Sequence, residues 1–196
     1  MTADAEVLRA GGLAILPTDT VYGVGTAAGS AEGCAELYRL KDRPASQPTA
    51  VIAGSVESLL HDVLPGLDER AAAAVRELLP GPLTLVVANP GRRFGHLCGD
   101  RPEAIGLRVP VLIPRVAVLA GAAGGLALTS ANLRGEPAPA SLDEVPAQLR
   151  ARCAVVVDGG RLAGAASAVI DLTGPEPAVL RDGPGAAAAL DALARL

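Results

Sequence analysis

Short apolar runs alternate along the chain with segments whose apolar residues recur at helical spacing. The runs predict buried strands, and the periodic segments predict helices. Strands are predicted at residues 13–16, 50–53, 83–88, 105–109, 126–128, 155–157, 168–171 and 178–180. Helices are predicted at residues 5–10, 30–41, 55–63, 67–79, 114–120, 141–150 and 186–196. This alternation indicates an α/β fold built on a mixed sheet.

No repeat, long linker or low-complexity segment divides the pattern, which indicates one domain over residues 1–196. Local signals set two of the helix starts. Ser30 is a predicted N-cap, and Ser141 with Glu144 forms a predicted capping box that begins the helix reaching residue 150. Residues 17–29 are rich in Thr and Gly, so this segment is interpreted as a loop.

One stretch has the length and apolar character of a membrane span. Residues 109–129 carry only one charge, Arg115. Pro110, Pro114 and several glycines interrupt the stretch, which therefore predicts a strand end, a short helix and a second buried strand. The first six residues are acidic and lack an apolar run, so no signal peptide is expected.

The composition narrows the function classes. The net charge is -4, the pI is about 5.2, and two Tyr and one Phe are the only aromatic residues. A tight nonspecific nucleic-acid binder is normally basic and stacks bases on aromatic rings, so this class is disfavoured. A local basic patch is left open. Three distant cysteines and two histidines disfavour a structural zinc site, and free cysteines fit the cytoplasm.

Lys41 is the single lysine of a chain with sixteen arginines, and Arg43 follows it after one residue. A lysine that persists against this arginine bias indicates a chemical role, because an ammonium is a compact point charge and a guanidinium is a flat fork. Together the two suit an anionic ligand with several oxygens. The alternative is a chance surface lysine.

Polar side chains gather where the predicted strands end and in the loops that follow. These residues are Thr18, Asp19, Thr20, Arg108, Thr129, Ser130, Asn132, Ser167 and Arg181. Ligands of open α/β sheets bind beyond strand ends, where hydroxyls can fix a small polar ligand and cations can neutralise phosphate or carboxylate. Taken singly, each residue also has an explanation as a turn residue or a surface ion pair.

Several familiar signatures are absent. No sequence matches the phosphate-binding P-loop, and Gly23, Gly25 and Gly29 have a spacing one residue off the dinucleotide fingerprint. A serine nucleophile needs a histidine partner, and the contexts of His61 and His96 support none.

The chain resembles the YrdC/Sua5 family in a series of ordered motifs within about residues 8–185. The matching blocks lie at residues 17–25, 41–48, 81–84, 106–110, 130–135, 167–171 and 180–183. Ordered blocks are far more specific than any one of them. The resemblance implies a single YrdC-like domain with a twisted mixed sheet flanked by helices and a ligand site in a concave cleft at the strand ends.

The best-known members of that family are L-threonylcarbamoyladenylate synthases, which combine L-threonine, bicarbonate and ATP and release pyrophosphate. Their product serves threonylcarbamoyl modification of adenosine in tRNA, through downstream transferase proteins. The length is similar to that of the short form of the family. The resemblance implies Mg²⁺ together with ATP, although no dedicated protein cage for the ion is visible.

The resemblance also implies roles for individual residues. L-threonine is expected at Thr20, Arg108, Ser130 and Ser167. ATP is expected at Lys41, Arg43, Gln47, Asn132 and Arg181. Lys41 and Arg43 are the expected catalytic residues, because a carbamate must approach the α-phosphorus of ATP and cations that neutralise the crowded negative charge lower the barrier.

The chain departs from the family pattern at Ala104, Ala140 and Ala168, which stand where hydroxyl residues are common, and at Arg134 and Ile52. A lost hydroxyl removes one hydrogen bond, worth about 1 kcal/mol. Two alternatives therefore stay open. One is a carbamoyl-adenylate-handling relative in a carbamoyltransferase pathway, and the other is a non-enzymatic RNA-binding module with weak tRNA contact.

Overall fold

All strands of the computed structural model, which describes residues 3–196, join one mixed sheet. The nine strands within these residues are β1 Ala14–Pro17, β2 Tyr22–Ala27, β3 Val51–Ile52, β4 Leu83–Ala88, β5 Ala104–Arg108, β6 Leu126–Ser130, β7 Val155–Val156, β8 Ala168–Asp171 and β9 Ala178–Arg181. Their order across the sheet is β7-β1-β2-β6-β3-β5-β4-β8-β9. The pairs β1–β7, β3–β5 and β4–β8 are parallel, and the others are antiparallel. The predicted mixed α/β architecture is confirmed.

Seven α-helices lie between and after the strands in the described part of the chain. They are α1 Ala3–Arg9, α2 Ala31–Leu40, α3 Val56–Ser58, α4 Glu69–Leu78, α5 Pro114–Ala122, α6 Ala147–Arg150 and α7 Ala186–Leu193. A π-helical turn, Leu59–Val63, continues α3. The predicted domain and the acidic N-terminal segment both include residues 1 and 2, which lie outside the described residues.

Side-chain caps begin two of the longer helices. The hydroxyl of Ser30 accepts a hydrogen bond from the Gly33 amide at 3.1 Å, as predicted for the start of α2. The carboxylate of Asp68 accepts from the Ala71 amide at 2.8 Å at the start of α4. Both bonds satisfy amide groups that have no partner within the helix.

The prediction of a loop over residues 17–29 is wrong, because β2 lies within this segment as an internal, fully buried strand. Its glycines reflect close packing. A Cβ on Gly23 would lie 2.5 Å from the Leu128 side chain, and one on Gly25 would lie 2.1 Å from the Ala127 carbonyl oxygen. Glycine inside a strand can mark such a close approach as well as a turn.

The predicted capping box and continuous helix over residues 141–150 are also wrong. The Ser141 side chain makes no capping hydrogen bond, and only a 3₁₀ turn, Leu142–Glu144, follows it. Glu144 instead accepts from the Ala140 amide at 2.7 Å and pairs with Arg161 at 3.1 Å. Pro146 lacks an amide hydrogen and precedes the separate four-residue helix α6.

The apolar stretch at residues 109–129 contains α5 and most of β6 as predicted, whereas the predicted strand end is not part of it, because β5 ends at Arg108. No helix in the described residues is long and apolar enough to cross a membrane. The strand β6 runs two residues further than its apolar run, so Thr129 and Ser130 belong to the sheet.

Alternation along the strands gives the sheet two different faces. Along β5, Ile105 and Leu107 point into the main hydrophobic core, which also holds residues of α4 and α7. The alternate residues Ala104, Gly106 and Arg108 line a cavity on the other face. The sheet therefore holds the cavity residues on a backbone fixed by the core.

Candidate functional site

A cavity of about 790 Å³ lies over this second face of the sheet. Seven residues predicted for the site line it: Thr20, Arg43, Gln47, Arg108, Ser130, Ser167 and Arg181. Lys41 and Asn132 are not among the lining residues. The cavity is not confined to the ends of the strands. It also extends over Val86, Gly106 and Leu128, which lie in the middle of β4, β5 and β6.

One end of the cavity is organised around Arg108, the last residue of β5. Its Nη2 donates to the Thr20 hydroxyl at 2.8 Å and forms an ion pair with Asp19. The second carboxylate oxygen of Asp19 accepts from the Val111 amide at 3.2 Å. Burial lowers the pKa of Arg108, and the nearby charge of Asp19 opposes this shift.

The guanidinium of Arg108 keeps donors that no described residue occupies. Nε is buried without a hydrogen-bond partner, and Nη1 forms no hydrogen bond with the protein. Nη1 carries two N–H groups, and each can donate a charge-assisted hydrogen bond to a carboxylate oxygen. This end of the cavity therefore suits a ligand carboxylate.

Lys41 lies beside the cavity and is 8 % exposed. Its ammonium donates to the Ser130 carbonyl at 2.8 Å, to the Asn132 carbonyl and to Asn132 Oδ1 at 3.0 Å. Burial lowers the pKa of Lys41 to about 8, with a further contribution from Arg43. The ammonium therefore holds residues 130–132 in place, and its charge acts on the cavity across this segment.

Three of the five residues predicted for the nucleotide, Arg43, Gln47 and Arg181, line the cavity. Arg43 is half-buried and donates to the Pro48 carbonyl, and the exposed Gln47 lies in the same loop. Arg181, at the end of β9, donates to the Ser167 carbonyl at 2.8 Å and to the Ser167 hydroxyl at 3.0 Å. Neither arginine has an acidic partner among residues 3–196.

These cations lower one another's proton affinity. After burial, Arg181 contributes to the lowered pKa values of Arg43 and Arg108, and Arg43 contributes to that of Lys41. Like charges gathered in a partly buried space raise the free energy of the protein until an anion neutralises them. The arrangement therefore favours a ligand with several negative charges.

The structure adds residues for which the sequence analysis assigned no role. Asp19 and Thr18 support the Arg108 end, and Thr84 places its hydroxyl 3.4 Å from that of Ser167. Asp100 and Arg101 line the cavity from the loop before β5. Alternation along β4 indicates Thr84, whereas no sequence signal marks the loop residues.

Two of the five residues at which the chain departs from the family pattern line the cavity, and the other three do not. Ala104 and Ile52 line it. Ala168 is fully buried in the main core, and Arg134 pairs on the surface with Asp42. Ala140 is not a lining residue either, so three of the departures leave the cavity wall unchanged.

No group of three or more metal-binding side chains occurs within residues 3–196. Asp100 is the single acidic residue that lines the cavity in this part of the chain. A resident divalent cation needs several oxygen ligands. The donor set therefore fits a cation that arrives with a phosphorylated ligand better than one held by the protein.

A second, more open concavity of about 500 Å³ lies between the end of α1 and the outer side of α2. Its charged residues are largely paired, since Glu36 binds Arg39 at 2.7 Å and Arg152 at 2.6 Å. None of the predicted site residues lines it. The cationic cavity on the sheet is therefore the candidate site.

Fold and site together define an α/β protein whose sheet carries a cationic cavity with Arg108 at one end. The Sua5/YciO/YrdC family model, described as "Telomere recombination", matches residues 6–183. The chain belongs to this family, and the motif resemblance is confirmed.

The names of similar proteins are consistent with this family. A Mycobacterium tuberculosis protein, provisionally named threonylcarbamoyl-AMP synthase, is 36% identical over 181 residues, or 90% of this chain and 81% of that protein. The threonylcarbamoyl-AMP synthase of Bacillus subtilis is 30% identical over 180 residues, 91% of this chain and 52% of that protein. The crystal structure of P. abyssi Sua5 complexed with L-threonine superimposes with a TM-score of 0.76 at 30% identity, covering 91% of this chain and 52% of that one. The chain thus spans about half the length of the latter two.

Proposed function

We propose that the protein is an L-threonylcarbamoyladenylate synthase, which forms threonylcarbamoyl-AMP and pyrophosphate from L-threonine, bicarbonate and ATP. The observation that carries the proposal is the cavity itself. It joins Arg108, whose Nη1 has no hydrogen-bond partner among residues 3–196, to Arg43 and Arg181, which have no acidic partner there. An amino acid and a nucleoside triphosphate supply the carboxylate and the polyanion that these groups suit. The names of the relatives support the same activity.

Binding of L-threonine begins with its carboxylate on Arg108. The Thr20 hydroxyl lies 2.8 Å from the same guanidinium, so it is within reach of the neighbouring amino group. Ser130 and Ser167 line the cavity and supply further hydroxyls for the amino acid. Fixing the amine in this way reduces the entropic barrier to the first bond-forming step.

In that step bicarbonate releases CO₂ and hydroxide, and the neutral amine attacks the carbon of CO₂. The proton that the amine loses combines with the hydroxide to form water, which leaves a carbamate. A carbamate oxygen then attacks the α-phosphorus of ATP, and the bond to the β-phosphate oxygen breaks to release pyrophosphate. Negative charge accumulates on both reactants. Arg43 and Arg181 stabilise that charge at the cavity wall with Gln47 as a neutral contact, and Lys41 acts from beside the cavity through its contacts with Ser130 and Asn132.

Mg²⁺ enters this scheme as the counter-ion of the triphosphate substrate. The phosphate oxygens and water supply its ligands, since the described residues offer no cage of their own. The ion reduces the charge that the arginines must neutralise.

The product is a mixed anhydride of a carbamic and a phosphoric acid, so it is a reactive acyl donor. A transferase that carries the threonylcarbamoyl group to adenosine of tRNA is the expected downstream partner. Direct contact of this chain with tRNA requires a basic surface, which a chain of net charge -4 does not favour.

The test is pyrophosphate release by purified protein with ATP, Mg²⁺ and bicarbonate, with L-threonine, L-serine or no amino acid. The proposal requires release that depends on L-threonine and on bicarbonate, and threonylcarbamoyl-AMP in the product mixture. Release without an amino acid that rises with carbamoyl phosphate would establish the carbamoyl-adenylate alternative instead. Absence of release together with salt-dependent tRNA binding would favour the RNA-binding alternative.

A further inference from the structure

The turn that contains Thr18, Asp19 and Thr20 connects β1 to β2 and fixes the amino-acid end of the cavity. Thr18 and Thr20 are buried, and both line the cavity. Their hydroxyl oxygens lie 3.0 Å apart. The direction of the hydrogen in this contact decides what Thr20 can offer a ligand.

Thr18 resolves that direction because a hydroxyl has a single hydrogen. Its oxygen lies 2.8 Å from the Val21 carbonyl, which can only accept. The same oxygen receives the amides of Thr20 at 3.2 Å and Val21 at 3.3 Å. The hydrogen of Thr18 therefore goes to the carbonyl. Thr20 donates the contact between the two hydroxyls at 3.0 Å, and it shares the two lone pairs of the Thr18 oxygen with the longer amide contacts.

Thr20 consequently presents only lone pairs to the rest of its surroundings. One lone pair accepts from Arg108 Nη2 at 2.8 Å. Thr20 lines the cavity, so the remaining acceptor capacity of its hydroxyl matches an N–H donor of a ligand there.

Asp19 acts on the other ligand group through Arg108. One of its oxygens pairs with Nη2, and the other is held by the Val111 amide at 3.2 Å. This pairing fixes the guanidinium plane and directs contact with a ligand toward the donors that Asp19 and Thr20 do not use. The ligand carboxylate must therefore bind through Nη1, since Nε is buried.

We infer that this turn sets the polarity of the amino-acid end, with Thr18 and Asp19 as positioning residues. Thr18 makes Thr20 an acceptor for the α-amino group, and Asp19 holds Arg108 for the carboxylate. The inference rests on the proposed function, because it takes L-threonine as the ligand.

The test uses two ligands that differ only in the amino group, L-threonine and 3-hydroxybutyrate. Calorimetry gives their affinities for the wild type and for Thr18→Val, Thr18→Ser and Asp19→Asn. Thr18→Val should weaken L-threonine about tenfold and leave 3-hydroxybutyrate within about twofold, and Thr18→Ser should restore the wild-type value. Asp19→Asn should weaken both ligands by similar factors, since both carry the carboxylate.

Kinetics of the same variants separate positioning from general damage. Thr18→Val should raise KM for L-threonine about tenfold while KM for ATP stays within about twofold. Equal weakening of both ligands by Thr18→Val, or no rescue by Thr18→Ser, would overturn the role of Thr18. Undiminished carboxylate binding in Asp19→Asn would overturn that of Asp19. A wild type without threonine-dependent pyrophosphate release would overturn the proposed function, and this inference with it.

Discussion

The two ends of the cavity are built on opposite principles. At the proposed amino-acid end, the protein itself neutralises Arg108 with Asp19, and the two side chains are only 10 % and 12 % exposed. At the nucleotide end, Arg43 and Arg181 have no acidic partner among the described residues, and Gln47 is exposed. A site with fixed hydrogen-bonding groups binds weakly any ligand that leaves those groups unpaired, whereas unpaired cations attract any polyanion. Selectivity is therefore expected at the first end and charge neutralisation at the second.

Removal of Arg108 should break this comparison most severely. Arg108→Met should lower kcat/KM for L-threonine by roughly 100-fold or more, since the bonds of a charged donor pair contribute about 1.5–3 kcal/mol each. It should also destabilise the fold by about 3 kcal/mol or less, because Asp19 is left as a largely buried charge without its cation. Thermal unfolding and pyrophosphate release measure the two effects.

The double variant Arg108→Met with Asp19→Asn separates the two losses. It removes the orphaned charge, so the melting temperature should recover most of its lost value. Activity should stay as low as in the single variant. Recovery of activity in the double variant would show that Arg108 matters only as the partner of Asp19.

Substitutions at the nucleotide end should affect ATP more than L-threonine. Arg43→Met and Arg181→Met should each raise KM for ATP about tenfold and flatten its dependence on salt, because each removes an unpaired positive charge. Arg134→Met is the matched control, since Arg134 lies on the surface in a weak pair with Asp42 at 3.6 Å. An equal effect of all three variants would indicate a long-range influence of net charge rather than a local site.

The nucleotide end should also respond to pH through Lys41. Its pKa is about 8, and a bound anion stabilises the ammonium and raises that pKa. Binding above pH 8 therefore takes up a proton, so ATP affinity should fall as pH rises through about 8. Calorimetry between pH 7 and about pH 9.5 tests this, with Lys41→Met as the variant that should lack the step. A step of equal size in that variant would assign the titration to another group.

The elements that the sequence predicts best are those whose signals are local. Apolar runs identify strands such as β4 and β8 at their observed bounds, and Ser30 marks the start of α2. The strand β2 is not predictable in this way, because its glycines are required by close packing against the side chain of Leu128 on the neighbouring strand β6. Contacts across the sheet cannot be deduced from the spacing of residues along one segment.

The residues of the site divide in the same way, into those that local sequence signals predict and those that depend on contacts between distant segments. Motifs predict seven residues that line the cavity, although their roles in binding stay predictions. The ion pair of Asp19 with Arg108 joins residues 89 positions apart, and its existence depends on the register of several strands. The carbonyl contacts of Lys41 depend on backbone geometry of residues 130–132, on which the sequence has no direct signal.

The smallest expected effects come from restoring hydroxyls at two departures, and they distinguish the two faces of the sheet. Ala168 is fully buried in the core, so Ala168→Thr should cost about 1–3 kcal/mol of stability through overpacking and leave both KM values unchanged. Ala104 lines the cavity, so Ala104→Ser should change KM for a substrate up to about fivefold, the effect of one hydrogen bond, with little loss of stability. Steady-state kinetics and thermal unfolding of both variants provide the comparison. If Ala168→Thr altered the choice between L-threonine and L-serine, substrate selection would depend on core packing beneath the cavity rather than on the groups that line it.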